Sequence, residues 1–233
     1  MSVITFNNVS KRFGKQVVLD GLSFSVEKGE ILCIVGPSGT GKSVTLKHIV
    51  KLIVPEAGTI EVAKGEQIDY LFQSGALLAW LTIYDNVALP LRETTKLKAK
   101  EVDERVMKAL SQVGLEEAKD KFPSEISGGM QKRAGLARAI VREAGIILYD
   151  EPTSGLDPVT TVTIHKLIKK LNKESGITSV VVTHDIQGAL HLADRIMLIK
   201  DGKCVECSKV ADFANSENPV VKEFLAAMKG EIQ

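Results

Sequence analysis

The chain has 233 residues, 44% of them hydrophobic and 25% charged, with a formal net charge of +1. That apolar content supports the packed core of one large domain or two small ones and excludes a disordered chain. The near-neutral balance gives no electrostatic reason to expect a nucleic-acid partner, and no apolar run approaches the length that crosses a bilayer.

Met1 to Phe6 lacks the basic, apolar and small-residue zones of a signal peptide, so a cytosolic location is expected. Three cysteines fit that compartment. Cys33 falls in an apolar strand, and Cys204 with Cys207 forms a lone C-x-x-C without the second pair or the histidines of a four-ligand site. The pair is read as two cysteines on a late strand and turn.

The chain opens β-rich. Val3–Phe6, Gln16–Leu19 and Leu22–Val26 cluster β-formers between turn residues and predict a small antiparallel sheet. Ile31–Val35 follows as a short apolar run of the kind buried in a sheet, and Thr45–Val54 reads as a helix. Between them lies Gly36-Pro37-Ser38-Gly39-Thr40-Gly41-Lys42-Ser43. Few Cβ atoms in this loop let successive backbone N–H groups converge on an anion, which the helix N-terminus also favours. Lys42 can reach the outer phosphates of a triphosphate as a point charge, and the Ser43 hydroxyl can ligand Mg²⁺.

Thr59–Val62 and Ile68–Phe72 predict two further strands. From Arg92 to Lys121 the sequence is charged and free of β runs, so this stretch is predicted helical. Val102, Val106, Ala109 and Val113 recur at helical spacing and lay down one packing stripe. Ser127-Gly128-Gly129-Met130-Gln131 then opens an apolar-periodic helix through Leu136 and Ile140. Ser127 is a good N-cap, and the two glycines leave exposed N–H groups open to an anion. Alone, this motif reads equally well as a capped helix start.

After Gly145 the strand-helix alternation returns. Ile146–Tyr149 and Thr178–Val182 are continuous apolar runs suited to a parallel sheet. Ile196–Ile199 and Lys203–Val205 flank an Asp201-Gly202 hairpin signal. Asp150-Glu151 ends the first of these runs, where open α/β sheets bind ligands. Neighbouring strand side chains face opposite ways, so the two acids take different tasks. Asp150 is placed to hold Mg²⁺ through its water shell, and Glu151 to polarise the water that attacks a γ-phosphate. The predicted fold class is α/β: a phosphate-loop core with a parallel sheet, an N-terminal antiparallel β subdomain and an inserted helical subdomain.

This ordered set resembles, across essentially the whole chain, the nucleotide-binding subunit of an ATP-binding cassette transporter. The resemblance makes residues 1–91 and 144–233 the nucleotide-binding core with its β subdomain, and 92–143 the helical subdomain. Gly36 to Ser43 corresponds to the Walker A loop, Gln73 to the Q-loop, Ser127-Gly128-Gly129 to the signature, Ile147–Asp150 to Walker B and Ser154–Asp157 to the D-loop. It implies a catalytic role for Glu151, a γ-phosphate-sensing role for His184 and a metal-reaching, permease-coupling role for Gln73. Pro37, Ser38, Thr40, the backbone of Val44 and Asp157 join the nucleotide contacts. Phe13, followed by Gly14, matches the family's adenine-stacking aromatic, although a core position would suit it too.

The family works as head-to-tail pairs, each signature closing on the ATP held by the other copy. Two MgATP between two chains are therefore implied, with the assembly peripheral on the cytosolic membrane face.

A finer resemblance lies in Phe72–Leu77, Leu81–Val87 and Pro90–Glu93, together with Val44 after the Lys-Ser pair and Met130 in the signature. These are similar to the ATPases of Mla/Mce-type lipid transporters, which implies an integral-membrane permease and an Mce-type lipid-binding protein as partners. Leu77, Leu78, Trp80 and Leu81 are then expected at the permease contact. The segment between Val62 and Ile68 is shorter than is usual in the family.

Overall fold

The computed structural model describes residues 1–229; positions 230–233, the end of the expected core, lie outside them. The chain begins with β1 (Ser2–Phe13), β2 (Gln16–Glu27), β3 (Ile31–Val35), α1 (Lys42–Ile49), β4 (Ala57–Val62) and β5 (Ile68–Leu71). Three helices follow, α2 (Ile83–Thr94), α3 (Ala99–Gln112) and α4 (Gly128–Ile140). Alternation then resumes with β6 (Ile146–Asp150), α5 (Pro158–Ser175), β7 (Thr178–Val182), α6 (Ile186–Leu192), β8 (Arg195–Lys200) and β9 (Lys203–Lys209). The short α7 (Val210–Ala214) and α8 (Pro219–Lys229) come last.

The expected antiparallel sheet is present as β2-β1-β4. The runs Gln16–Leu19 and Leu22–Val26, read from sequence as separate strands, form the single strand β2. Asp20-Gly21 makes no turn because the residues on both sides pair with β1. The mismatch is taken up as a register shift, and Gly21 N–H donates to Ser10 Oγ at 3.0 Å.

The larger sheet runs β5-β6-β7-β3-β8-β9. Its first five strands are parallel, and β9 is antiparallel to β8. Asp201 and Gly202 join that hairpin with φ of 52° and 75°, the positive pair that a two-residue turn between twisted strands requires. β9 runs four residues past the expected Val205.

Both faces of the parallel sheet are covered, which is why β3, β6 and β7 are buried throughout and mostly apolar. Cys33, Val35, Ile147, Tyr149 and Val181 pack toward α2–α5, whereas Leu32, Ile34, Leu148, Val180 and Val182 pack toward α1 and the antiparallel sheet. That alternation sets the site, because Asp150 follows Ile146 and Leu148 and so emerges on the α1 side.

Two helix predictions are corrected. α1 ends at Ile49 rather than Val54: Lys51 is left-handed at φ 58° and Leu52 N–H returns to the Lys47 carbonyl at 2.9 Å. Pro55 ahead disfavours helical backbone at Val54. The helical stretch begins at Ile83, nine residues ahead of the expected Arg92, and is broken between α2 and α3 and again after Gln112. Thr82 caps α2 by accepting from Asp85 N–H at 3.0 Å, and the helix accommodates Pro90 within its length. The stripe Val102, Val106, Ala109 and Val113 is buried as expected, each valine contributing on the order of 1.5–3 kcal/mol.

The cysteines are free, and Cys207 Sγ accepts from Arg195 Nη2 at 3.0 Å. Burial raises the Cys204 thiol to about 11, so neither redox nor metal chemistry is favoured there.

Candidate functional site

The loop between β3 and α1 is built around positions where a side chain cannot fit. A Cβ on Gly36 (φ 151°) would lie 2.2 Å from the Ile199 carbonyl oxygen of β8, whereas one on Gly39 (φ 80°) meets no atom within 4 Å. Gly36→Ala should therefore destabilise the fold by roughly 2–4 kcal/mol, overpacking added to backbone strain, and Gly39→Ala by only about 1–2 kcal/mol of strain. Thermal unfolding of the two variants checks the order, and equal losses would contradict it.

Lys42 reaches back into the loop, donating to the carbonyls of Gly36 at 2.8 Å and Pro37 at 2.9 Å, with Thr40 Oγ1 also donating to Pro37. Burial lowers the ammonium's pKa, opposed in part by Glu151 and Asp150. Val44 packs against the core beneath the loop and also lines the cleft. Ser43, on the first turn of α1, donates to Asp150 Oδ1 at 2.7 Å. Hydroxyl and carboxylate oxygens this close form a hard donor set that fits Mg²⁺. No cluster of three or more His, Cys, Asp or Glu able to hold a metal occurs among the described residues, so further ligands would come from phosphate and water.

β6 ends at Asp150, and Glu151 turns left-handed at φ 49°, its N–H donating to the Val182 carbonyl at 2.9 Å. The two acids are thus separated by a backbone kink, not by the simple strand alternation expected. Glu151 Oε2 lies 2.8 Å from His184 Nδ1 without an aligned hydrogen bond between them. His184 stands at the end of β7 with its side chain 60% exposed, beside a Glu151 that is 12% exposed.

A cleft of about 470 Å³ gathers Phe13, Val18, Ser38, Gly39, Gly41, Lys42, Ser43, Val44, Gln73, Glu151 and His184. Phe13 is half exposed at its rim, with Lys11 Nζ 5.5 Å from the ring centroid, and so is not a core residue. Gln73 Nε2 donates to Ser154 Oγ at 3.4 Å.

Ser127, Gly128, Gly129 and Asp157 do not line this cleft. Ser127 caps α4 by accepting from Met130 N–H at 3.3 Å, and Asp157 caps α5 by accepting from Val159 and Thr160 N–H. The two caps adjoin, since a Cβ on Gly129 would touch Thr160 Cγ2 at 2.8 Å. Met130 packs into the core.

Three residues that sequence reasoning passed over shape the site. Tyr70 of β5 donates its hydroxyl to Asp150 Oδ2 at 2.8 Å; burial, with that carboxylate beside it, pushes the phenol pKa far up. Lys132 of α4 donates to the Gln73 carbonyl and, at 3.4 Å, to that of Glu151, its ammonium pKa lowered by burial. Asn86 of α2 is fully buried; its Oδ1 accepts from Leu78 N–H at 2.7 Å, and its Nδ2 donates to the carbonyls of Leu78, Leu81 and Thr82. These four bonds pin the loop after Gln73. Of the apolar residues expected on its outer face, Leu77 packs partly into the core, whereas Trp80 is 72% exposed. None of the three carried a local sequence signal, since the adjacency of β5 and β6 that brings Tyr70 to the acid pair appears only in the fold.

Known proteins match this architecture. The family model described as ABC transporter matches residues 19–154. The chain is 41% identical over 236 residues to the probable ribonucleotide transport ATP-binding protein mkl of Mycobacterium tuberculosis H37Rv, covering 95% of this chain and 66% of that one. It therefore spans just under two thirds of the mycobacterial protein. It is 39% identical to the intermembrane phospholipid transport system ATP-binding protein MlaF of Escherichia coli K12, covering 96% of this chain and 88% of that one.

Among solved structures, the ATP-binding cassette MJ0796, a dimer in a post-hydrolysis state bound to ADP and Pi, has a TM-score of 0.80 at 34% identity, over 89% of this chain and 98% of that one. Clostridium perfringens cbiO1, part of a cbiONQ transporter complex, has a TM-score of 0.84 at 27% identity, over 96% of this chain and 95% of that one.

Proposed function

Because the chain belongs to the ABC transporter family, we propose that it is the ATP-hydrolysing subunit of a transporter, driving lipid movement through a permease of Mla/Mce type. The observation that carries this reading is the convergence of Lys42, Ser43, Asp150, Glu151 and His184 around one cleft, at the carboxyl ends of β3, β6 and β7 and the start of α1.

In the proposed reaction, phosphate oxygens replace the Gly36 and Pro37 carbonyls as acceptors for the Lys42 ammonium, and the loop amides complete the cradle. Ser43 and Asp150 would hold Mg²⁺, which supplies charge neutralisation at the phosphates. Glu151 accepts a proton from the attacking water while the bond to the leaving ADP oxygen breaks, giving ADP and phosphate. His184, 2.8 Å from Glu151 and lining the same cleft, is placed to meet the γ-phosphate from the exposed side. Phe13 offers its face to the adenine.

Ser127, Gly128, Gly129 and Asp157 act on the nucleotide of a second copy, which makes the working unit a homodimer with two composite sites. The MJ0796 cassette, a dimer with ADP and Pi, supports this reading. The printed names of the relatives differ on cargo, ribonucleotide for mkl and phospholipid for MlaF. Lipid is favoured because MlaF is matched over 88% of its length; the resemblance of Val44 and Met130 to that branch points the same way.

No helix among the described residues is long and apolar enough to cross a membrane. Association with a permease would hold the chain at the cytosolic face, with Trp80 on the docking surface and Gln73 linking it to the site. The single-domain organisation, a core at 1–91 and 144–233 around a helical subdomain near 92–143, is part of the same proposal. An Mce-type lipid-binding protein completes the assembly.

The test is to express the tagged chain with its neighbouring genes and identify what co-purifies. A multispan permease and a lipid-binding partner are expected. Nucleic acid, or a permease whose ATP-driven cargo is not lipid, would overturn the cargo reading.

A further inference from the structure

We propose that Tyr70 is a positioning residue that fixes the carboxylate of Asp150 for the metal, a role resting on the nucleotide-site reading above. The placement follows from strand register. β5 lies parallel to β6 with Tyr70 opposite Leu148, and Asp150 stands two residues further on the same face. A phenol is long enough to cover that offset, and its hydroxyl donates to Asp150 Oδ2 at 2.8 Å. The ring also packs on Phe72, the centroids 4.4 Å apart and the planes tilted 40°.

The two oxygens of Asp150 are therefore treated differently. Oδ1 receives the Ser43 hydroxyl at 2.7 Å, and Oδ2 receives Tyr70. A metal held by Ser43 and Asp150 would use the lone pairs of the Ser43 hydroxyl and the Oδ1 side of the carboxylate. The Tyr70 bond lies on the other oxygen and would be compatible with that occupancy.

This matters because the terminal torsion of an aspartate is broad and nearly two-fold, so an unanchored carboxylate samples many orientations. Tyr70 removes that freedom in advance, as outer-shell partners of metal ligands do elsewhere. Its hydroxyl donor decides the matter, not its bulk, since phenylalanine would keep the contact with Phe72.

The experiment uses the full chain with Mn²⁺ as a paramagnetic probe and a non-hydrolysed ATP analogue. In Tyr70→Phe the Mn²⁺ dissociation constant should rise about tenfold, while metal-free binding of the analogue and the thermal midpoint stay as in the wild type. In an Asp150→Asn background the same Tyr70→Phe change should have no further effect, because the tyrosine acts through the carboxylate.

Unchanged Mn²⁺ affinity in the single variant, or full additivity with Asp150→Asn, overturns the role of Tyr70 and leaves the nucleotide site standing. Should Tyr70→Phe fold poorly, the additivity comparison still decides, since a merely structural effect adds in both backgrounds. Absence of metal-dependent analogue binding in the wild type would instead overturn the site itself.

Discussion

Glu151→Gln is expected to lower ATP turnover by about 10²–10⁴-fold while leaving nucleotide binding intact. The substitution keeps the shape of the side chain and its place beyond β6, where the backbone is left-handed and anchored to the Val182 carbonyl. It removes the one property that a base requires, a carboxylate oxygen free to take a proton, which Glu151 Oε2 offers with no aligned donor committed to it. At about 1.4 kcal/mol per decade the expected loss is roughly 3–5 kcal/mol of transition-state stabilisation. Because binding survives and hydrolysis does not, the variant should also accumulate as a dimer on MgATP. Phosphate release and size-exclusion chromatography read the two effects. Unchanged hydrolysis would remove Glu151 from the mechanism, and a variant that stays monomeric on ATP would count against composite sites.

Lys42→Ala should weaken ATP binding by about 10²–10⁴-fold, the equivalent of two charge-assisted hydrogen bonds at roughly 1.5–3 kcal/mol each. Without nucleotide the effect on stability should be small, because two opposing consequences partly cancel. The Gly36 and Pro37 carbonyls lose their donor, but the chain no longer desolvates an ammonium, the cause of that group's lowered pKa. Calorimetric titration with ATP measures the first effect. The second appears as a normal unfolding midpoint without ligand and the disappearance of the rise that ATP produces in the wild type. Retained ATP affinity would mean that the amides alone hold the phosphates.

The contrast between these residues and those that went unnoticed shows what a sequence encodes locally. The phosphate loop was legible because its function dictates composition along a contiguous stretch: glycines where β8 approaches, then lysine and serine entering a helix. The buried strands were legible for a similar reason, as a sheet covered on both faces needs unbroken apolar runs. α2 was obscured by Ile83, Tyr84 and Val87, which favour strands, and by Pro90, which disfavours helix; packing of Ile83, Val87 and Leu91 into the core prevails over those preferences. Glu151 was identified as an acid at a strand end, but its left-handed backbone depends on the anchor to β7. Tyr70, Lys132 and Asn86 act through partners between 4 and 80 positions away, which no local pattern announces.

The four bonds of Asn86 bear on how work leaves the molecule. A surface loop of ordinary compliance would absorb a push by changing its own shape, and any displacement arising at the proposed nucleotide site would fade within it. With Leu78, Leu81 and Thr82 fastened to a single buried amide, the segment carrying Trp80 has little slack and must travel with α2 as a stiff tooth. A partner resting on Trp80, as proposed, would then move with α2, and loosening that one amide would turn a gear into a clutch.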